Sequence, residues 1–373
     1  MKIFKSEAVR ISVIYFLVTR ITLIFISVAV LQEFTLHGNI KSEHEIFHEN
    51  SLLNTWGNFD TGWYLKIARD WYPDLKSTNP GSSFEQYSFF PLYPALIRSL
   101  HFVTGINNFI LGLFISNICL FLSGLMLYKI SEKLYDKKIA EWSLIFMYLS
   151  PVSFIFSGVF TESLYLVLIL SSFYFAFNQK WFAAGIFSML LTLCRPVGFM
   201  IVLPLAFIYL KNKNFNFREI NVQALNFIFV PAGIILLLWL NYANSGDPFM
   251  FAHNPGYSGK ISNPFINIYK ELGSSYFTLC FLSWYTLVFI LFWLFFYGHL
   301  KFAFHLVIIY SLFIPLSFGL MSMPRMILSA FPFFILVSSV ACKYRLQNIF
   351  SIVLVFLQAF LFICWCFGFV TVV

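Results

Sequence analysis

Charge is scarce in this chain. Only 11% of its 373 residues are Asp, Glu, Lys or Arg, and the acidic ones number 16 against 24 basic. A soluble domain of this length covers its surface with charge, and a chain that is 60% hydrophobic, with a mean hydropathy of +0.80, has too little to do so. Paired cysteines are missing too. Cys119, Cys194, Cys280, Cys342, Cys364 and Cys366 all fall in or at the ends of apolar runs, and no Cys-x-x-Cys occurs. That excludes a disulfide framework and a cysteine zinc site. The short alternating segments of a membrane β-barrel are absent, and no internal repeat relates the two halves.

Present instead are apolar runs of about 20 residues, long enough to cross a hydrocarbon core of roughly 30 Å, recurring from the N-terminus to the last residue. They predict an all-α polytopic membrane protein, residues 1–373 forming one membrane-embedded unit with about 9–11 transmembrane helices. Helices are expected near 10–32, 108–128, 140–158, 163–178, 222–241, 276–298, 302–321, 326–341 and 349–370. Two long loops, 33–107 and 242–275, fall on the same outer side. The second carries Gly246, Asp247, Pro248, Pro255, Gly256, Gly259 and Pro264, turn formers that rule out a span.

The net charge of +8 does not point to nucleic acid, because of where the basic residues lie. Lys2, Lys5, Arg10, Lys129, Lys133, Lys137, Lys138, Lys180, Lys211, Lys213, Arg218, Lys301, Lys343 and Arg345 cluster in short connections, the bias that marks the cytoplasmic side. The N-terminal Lys/Arg cluster and the run from 11 to 31 read as an uncleaved signal anchor. Lys180 and the Lys211–Arg218 cluster share a side although one apolar stretch separates them. A hairpin of two short helices broken at Arg195-Pro196 resolves the parity, since a residue before proline is pushed out of helical geometry.

Few residues carry chemistry. Asp60 opens a segment in which Trp63, Tyr64, Ile67, Ala68 and Trp71 recur at helical spacing, a short helix lying in the membrane interface. Asp60 is a helix cap, a catalytic carboxylate, or both. Arg98 follows Phe89-Phe90-Pro91-Leu92-Tyr93-Pro94 at the height of lipid phosphates, where it either binds phosphate or snorkels. Glu162 alone among acids interrupts the apolar stretch 142–177. After Thr161 it reads as a first-turn residue of a helix capped by that threonine, or as an intramembrane site residue. Arg195 and Arg325 each stand beside a proline in apolar sequence, where they either bind phosphate, which suits their donor fork, or form an internal salt bridge, for example to Glu162. With Arg20 they make three deep cations against one deep acid, a surplus that an anionic ligand would balance.

At these residues the chain resembles a known family. Phe59-Asp60-Thr61-Gly62-Trp63-Tyr64-Leu65-Lys66-Ile67-Ala68, followed by Phe89-Phe90-Pro91-Leu92-Tyr93-Pro94, is similar to the first-loop signature of the PIG-V-like family. That family comprises GPI mannosyltransferase II and its prokaryotic relatives, with the GT-C architecture. Ser150-Pro151-Val152-Ser153 through Thr161-Glu162-Ser163, Cys194-Arg195-Pro196-Val197-Gly198, Pro324-Arg325 through Phe331-Pro332, and Gly246-Asp247-Pro248-Phe249 fit as well. Phe59 departs from the family's usual tryptophan and leaves the carboxylate in place.

The resemblance implies a dolichyl- or polyprenyl-phosphate mannose donor, inversion at the anomeric carbon, and Asp60 as catalytic carboxylate. Arg195, Arg325 and Arg98 are then candidates for the leaving phosphate, while Glu162, Trp63, Tyr64, Tyr93 and Asp247 serve the acceptor or hold the others in place. The acceptor is a glycan, glycolipid or protein whose identity does not carry over. No cofactor is implied. Asp60 has no acidic neighbour in sequence with which to share a cation, and Asp247 becomes a second ligand only if the outer loops meet. The expected membrane is the plasma or inner membrane of a prokaryote or the endoplasmic reticulum of a eukaryote, with the site on the non-cytoplasmic side. A transporter or flippase of an anionic lipid-linked sugar is the rival reading.

Overall fold

The computed structural model describes residues 7–37, 48–75, 84–253 and 261–368. Lys2 and Lys5, and Pro255, Gly256 and Gly259 of the second loop, lie outside the described residues. Within them all regular structure is helical: α1 (Glu7–His37), α2 (Ser51–Asn54), α3 (Thr61–Asp70), α4 (Leu92–Thr104), α5 (Asn108–Leu134), α6 (Lys137–Leu149), α7 (Glu162–Phe177), α8 (Trp181–Cys194), α9 (Val202–Asn212), α10 (Phe229–Ser245), α11 (Pro264–Glu271), α12 (Phe277–Phe295), α13 (Phe302–Leu316), α14 (Met323–Ser329), α15 (Pro332–Tyr344) and α16 (Gln347–Cys366). Five helical stretches are long and apolar enough to cross a membrane: Glu7–Glu33, Asn108–Leu134, Val222–Ser245, Phe277–Phe295 and Gln347–Cys366. The bent pair α14/α15 makes a sixth, and four shorter apolar helices lie between them. No membrane β-structure competes with this arrangement among the described residues.

Prolines explain where helices end sooner than hydropathy alone predicts. The expected helix over 140–158 stops at Leu149, because Ser150 precedes Pro151 and takes an extended conformation (φ −54°, ψ 141°). The expected helix over 326–341 is two, bent by 74° ahead of Pro332. The break at Arg195-Pro196 forms as expected: Arg195 is extended (φ −153°, ψ 150°), and a 3-10 turn, Pro196–Ile201, leads into α9. Gly198 lets this turn fold back, since a Cβ there would stand 2.3 Å from the Leu191 carbonyl oxygen.

A broken helix leaves carbonyls without intrahelical partners, which a membrane interior cannot hydrate. After α6 they are satisfied from two neighbouring helices. Arg20 of α1 donates to the Ser153 carbonyl at 3.1 Å, and Gln358 of α16 donates to the carbonyls of Tyr148 and Ser150 at 2.9 Å each and to Ser153 Oγ at 2.6 Å. Arg20 is therefore a strap on the segment that ends at Glu162.

Contacts between connections gather at two ends of the molecule. At one, Lys137 pairs with Glu7, Lys133 donates to the Phe177 carbonyl, and the Lys301 amide donates to the Tyr135 hydroxyl. This basic end gathers the short connections rich in Lys and Arg. At the other, Trp365 of α16 donates to the Thr55 carbonyl, and Leu75 of the first loop donates its amide to the Asn244 carbonyl beside the second. The two long loops do meet.

Candidate active site

Four of the residues singled out by sequence converge at the loop end of the bundle, each delivered by a helix terminus or break. Asp60 precedes α3 in a turn locked to α16: Trp365 Nε1 donates to the Thr55 carbonyl at 2.8 Å, and Asn58 Nδ2 donates to the Trp365 carbonyl at 3.1 Å. Phe59 adopts a left-handed backbone (φ +50°) with its ring 5.5 Å from the Trp365 ring. A non-glycine residue in that region costs about 1 kcal/mol or more and is held by its surroundings. The effect is to aim Asp60 inward.

Asp60 does not cap α3 with its side chain. Its Oδ2 accepts from Arg325 Nη1 at 2.6 Å, and Arg325 Nε donates to Glu162 Oε1 at 2.7 Å. The same Glu162 oxygen accepts from Arg195 Nη2 at 3.3 Å. Ser329 fastens the two arginines, accepting from Arg195 Nη1 at 3.1 Å and donating to the Arg325 carbonyl at 2.9 Å. Aromatic faces complete the shell, with Phe160 4.8 Å from the Arg325 guanidinium and Tyr165 5.7 Å from that of Arg195.

The charge arithmetic changes accordingly. Glu162 is fully buried and Arg325 nearly so, but Asp60 joins them as a second acid, so the four groups sum to zero. Arg20 is excluded from the cluster, being held by Ser153 with no carboxylate among the described residues. Thr161 stands at the N-cap position of α7 but its side chain makes no capping hydrogen bond; its hydroxyl lies 3.4 Å from that of Tyr64. Glu162 Oε2 is buried without a hydrogen-bond partner, and the second oxygen of Asp60 accepts no hydrogen bond among the described residues.

Beside the cluster lies a cavity of about 660 Å³. Its wall is built from the Arg195–Met200 break, the end of α13 at Ile314 and Pro315, the following loop at Phe318 and Met321, and Phe90 and Phe251 from the two long loops. Arg195 is the one charged residue on it among the described residues. Phe199, Phe318 and Met321 are exposed apolar residues at its edge. An apolar chain with an anionic head on Arg195 matches this lining.

The remaining expected site residues are placed elsewhere. Arg98 donates to the carbonyls of Ala68 and Arg69 at 3.1 and 2.8 Å, closing the C-terminal end of α3. Tyr93 is fully buried, its hydroxyl 3.0 Å from the Gly112 carbonyl and 2.8 Å from Ser116 Oγ, and it packs α4 on α5. Trp63 stacks on Phe89 at 5.7 Å, half-exposed one turn from Asp60. Asp247 accepts from the Phe249 amide at 2.8 Å and pairs with His253 at 3.1 Å. No group of three potential metal ligands occurs among the described residues.

Two contributors went unnoticed in the sequence. Ser329 stands four residues after Arg325, on the same helix face, a spacing that could have flagged it. Trp365 gives no signal in a helix of continuous apolar residues. Comparison of the chain with protein-family models, curated proteins and solved structures finds no match.

Proposed function

We propose that this chain is a glycosyltransferase of the mannosyltransferase type, taking a sugar from a polyprenyl- or dolichyl-phosphate donor. The observation that carries the reading is the joining of Asp60, through Arg325 and Glu162, to Arg195 on the wall of an apolar cavity. A carboxylate and a pair of cations thereby stand together where a lipid chain has room.

In the proposed reaction an acceptor hydroxyl attacks the anomeric carbon from the face opposite the phosphate. The new C–O bond forms as the bond from that carbon to the phosphate oxygen breaks, with inversion. Asp60 takes the hydroxyl proton, and lipid phosphate leaves with the bonding pair. Arg325 and Arg195 stabilise the charge growing on the departing oxygen, and the sugar passes through an oxocarbenium-like state. Glu162 fixes both arginines. The acceptor is a hydroxyl of a glycan, glycolipid or protein.

The bias of Lys and Arg toward the opposite end supports a non-cytoplasmic site, in a plasma, inner or endoplasmic-reticulum membrane. The PIG-V-like motifs agree with this chemistry, and a GT-C arrangement is the architecture proposed with it. Broken helices carrying Arg195 and Arg325 also favour a second reading, a flippase for an anionic lipid-linked sugar. Purified protein in vesicles with labelled polyprenyl-phosphate mannose and a membrane extract as acceptor source separates the two. Label in a new product supports the transferase. Label crossing the bilayer with no new bond supports the flippase and sinks the transferase.

A further inference from the structure

Arg325 divides its donor fork between two carboxylates that are held very unequally. Glu162 is fully buried and accepts from two arginines through one oxygen. Asp60 is held by Arg325 alone, its side chain is 29% exposed, and it follows the left-handed Phe59. An anion entering the neutral cluster adds negative charge, and the carboxylate with one partner and access to water gives way first.

We propose that the Asp60–Arg325 pair is a latch that the phosphate of an incoming lipid donor opens, exchanging Asp60 for phosphate on Arg325 and thereby freeing the carboxylate. This rests on the transferase reading and adds a regulation to it. Arg325 Nε and Arg195 Nη2 both reach Glu162 Oε1, so they are no more than about 6 Å apart, and one phosphate can accept from both guanidinium groups. Such a phosphate enters from the cavity wall at Arg195 and ends on Arg325.

Two consequences follow. Asp60 is occupied by Arg325 until donor is bound, so donor binds before the acceptor is activated. Asp60 also competes with phosphate, so apparent donor affinity is lowered by the fraction of molecules in which the latch is shut.

The second consequence gives the test; because losing a nearby negative charge by itself also favours an anion, the titration is run at about 0.5 M salt, where repulsion through solvent is screened and direct competition for buried Arg325 persists. The full-length protein in detergent or nanodiscs is titrated with farnesyl phosphate, with farnesol as the uncharged control. Asp60→Asn should bind farnesyl phosphate about tenfold more tightly than wild type, matching a latch shut in roughly nine molecules of ten. Asp60→Ala should show the same direction, and thermal melts confirm that both variants are folded. Arg325→Ala should lose the preference for phosphate over farnesol. Unchanged or weaker binding by folded Asp60→Asn, with wild type still preferring the phosphate, overturns the latch and leaves the transferase reading standing. If folded wild type and Asp60→Asn both bind farnesyl phosphate no better than farnesol, the lipid-phosphate reading fails and the latch with it.

Discussion

Arg20 and Arg325 are the same residue type, equally buried, and both surrounded in sequence by apolar residues, yet they do opposite work. Arg20 rests on a backbone carbonyl and a serine hydroxyl of the broken segment after α6. Arg325 bridges two carboxylates supplied by a loop and a helix start. Arg20 does not line the cavity that Arg195 faces. Carboxylates on an arginine can be exchanged for phosphate. Burial of a cation therefore says less about function than the charge of its partners and the space beside it, and only the Arg325 cluster adjoins the large cavity.

The contrast breaks most sharply at Arg325. Arg325→Ala strands Asp60 and leaves buried Glu162 with Arg195 alone. Removing one partner of a buried pair costs on the order of 3–5 kcal/mol, so a large fall in thermal stability is expected. Adding Glu162→Gln to the same chain should recover part of that loss, because the stranded charge is then gone. Melts of the single and double variants read this directly, and full additivity would show the two groups to be uncoupled.

Arg20→Ala should cost less, about 1–3 kcal/mol, since it strands neutral acceptors only. Gln358→Ala should behave alike. Preference for farnesyl phosphate over farnesol should survive both changes in the folded protein, and its loss would make Arg20 part of the anion site. Smaller effects are expected from Tyr93→Phe and Arg98→Ala, about 1 kcal/mol each from lost hydrogen bonds to backbone and serine. Transfer activity should persist in both, and its abolition by Tyr93→Phe would return that tyrosine to the reaction.

What could be read from the sequence divides along the same line. The helical membrane architecture was legible because apolar runs and flanking lysines are local signals. The helix break at Arg195-Pro196 was legible through proline. Asp60, Glu162, Arg195 and Arg325 were individually conspicuous as polar residues in or beside apolar sequence. A salt bridge of the arginines to Glu162 was one of the two readings the sequence offered, and it forms; the part of Asp60 was not legible, because Asp60 and Arg325 are 265 positions apart and nothing local shows that a first-loop carboxylate cancels the charge of a late helix. The same gap hid the strap role of Arg20, whose acceptors are the carbonyl and hydroxyl oxygens of Ser153, 133 positions away. Arg98 and Tyr93 were conspicuous for local reasons, and local packing is what they serve.

The central claim, that Asp60 is the base of a lipid-phosphate glycosyltransferase, is tested most directly by single-turnover transfer from labelled polyprenyl-phosphate mannose with wild type and Asp60→Asn. Asparagine keeps the shape of aspartate and leaves Arg325 its bond to Glu162, but cannot accept the hydroxyl proton. The account predicts a rate about 10²- to 10⁴-fold lower at saturating donor, with donor affinity undiminished. Transfer by Asp60→Asn at close to the wild-type rate would contradict it.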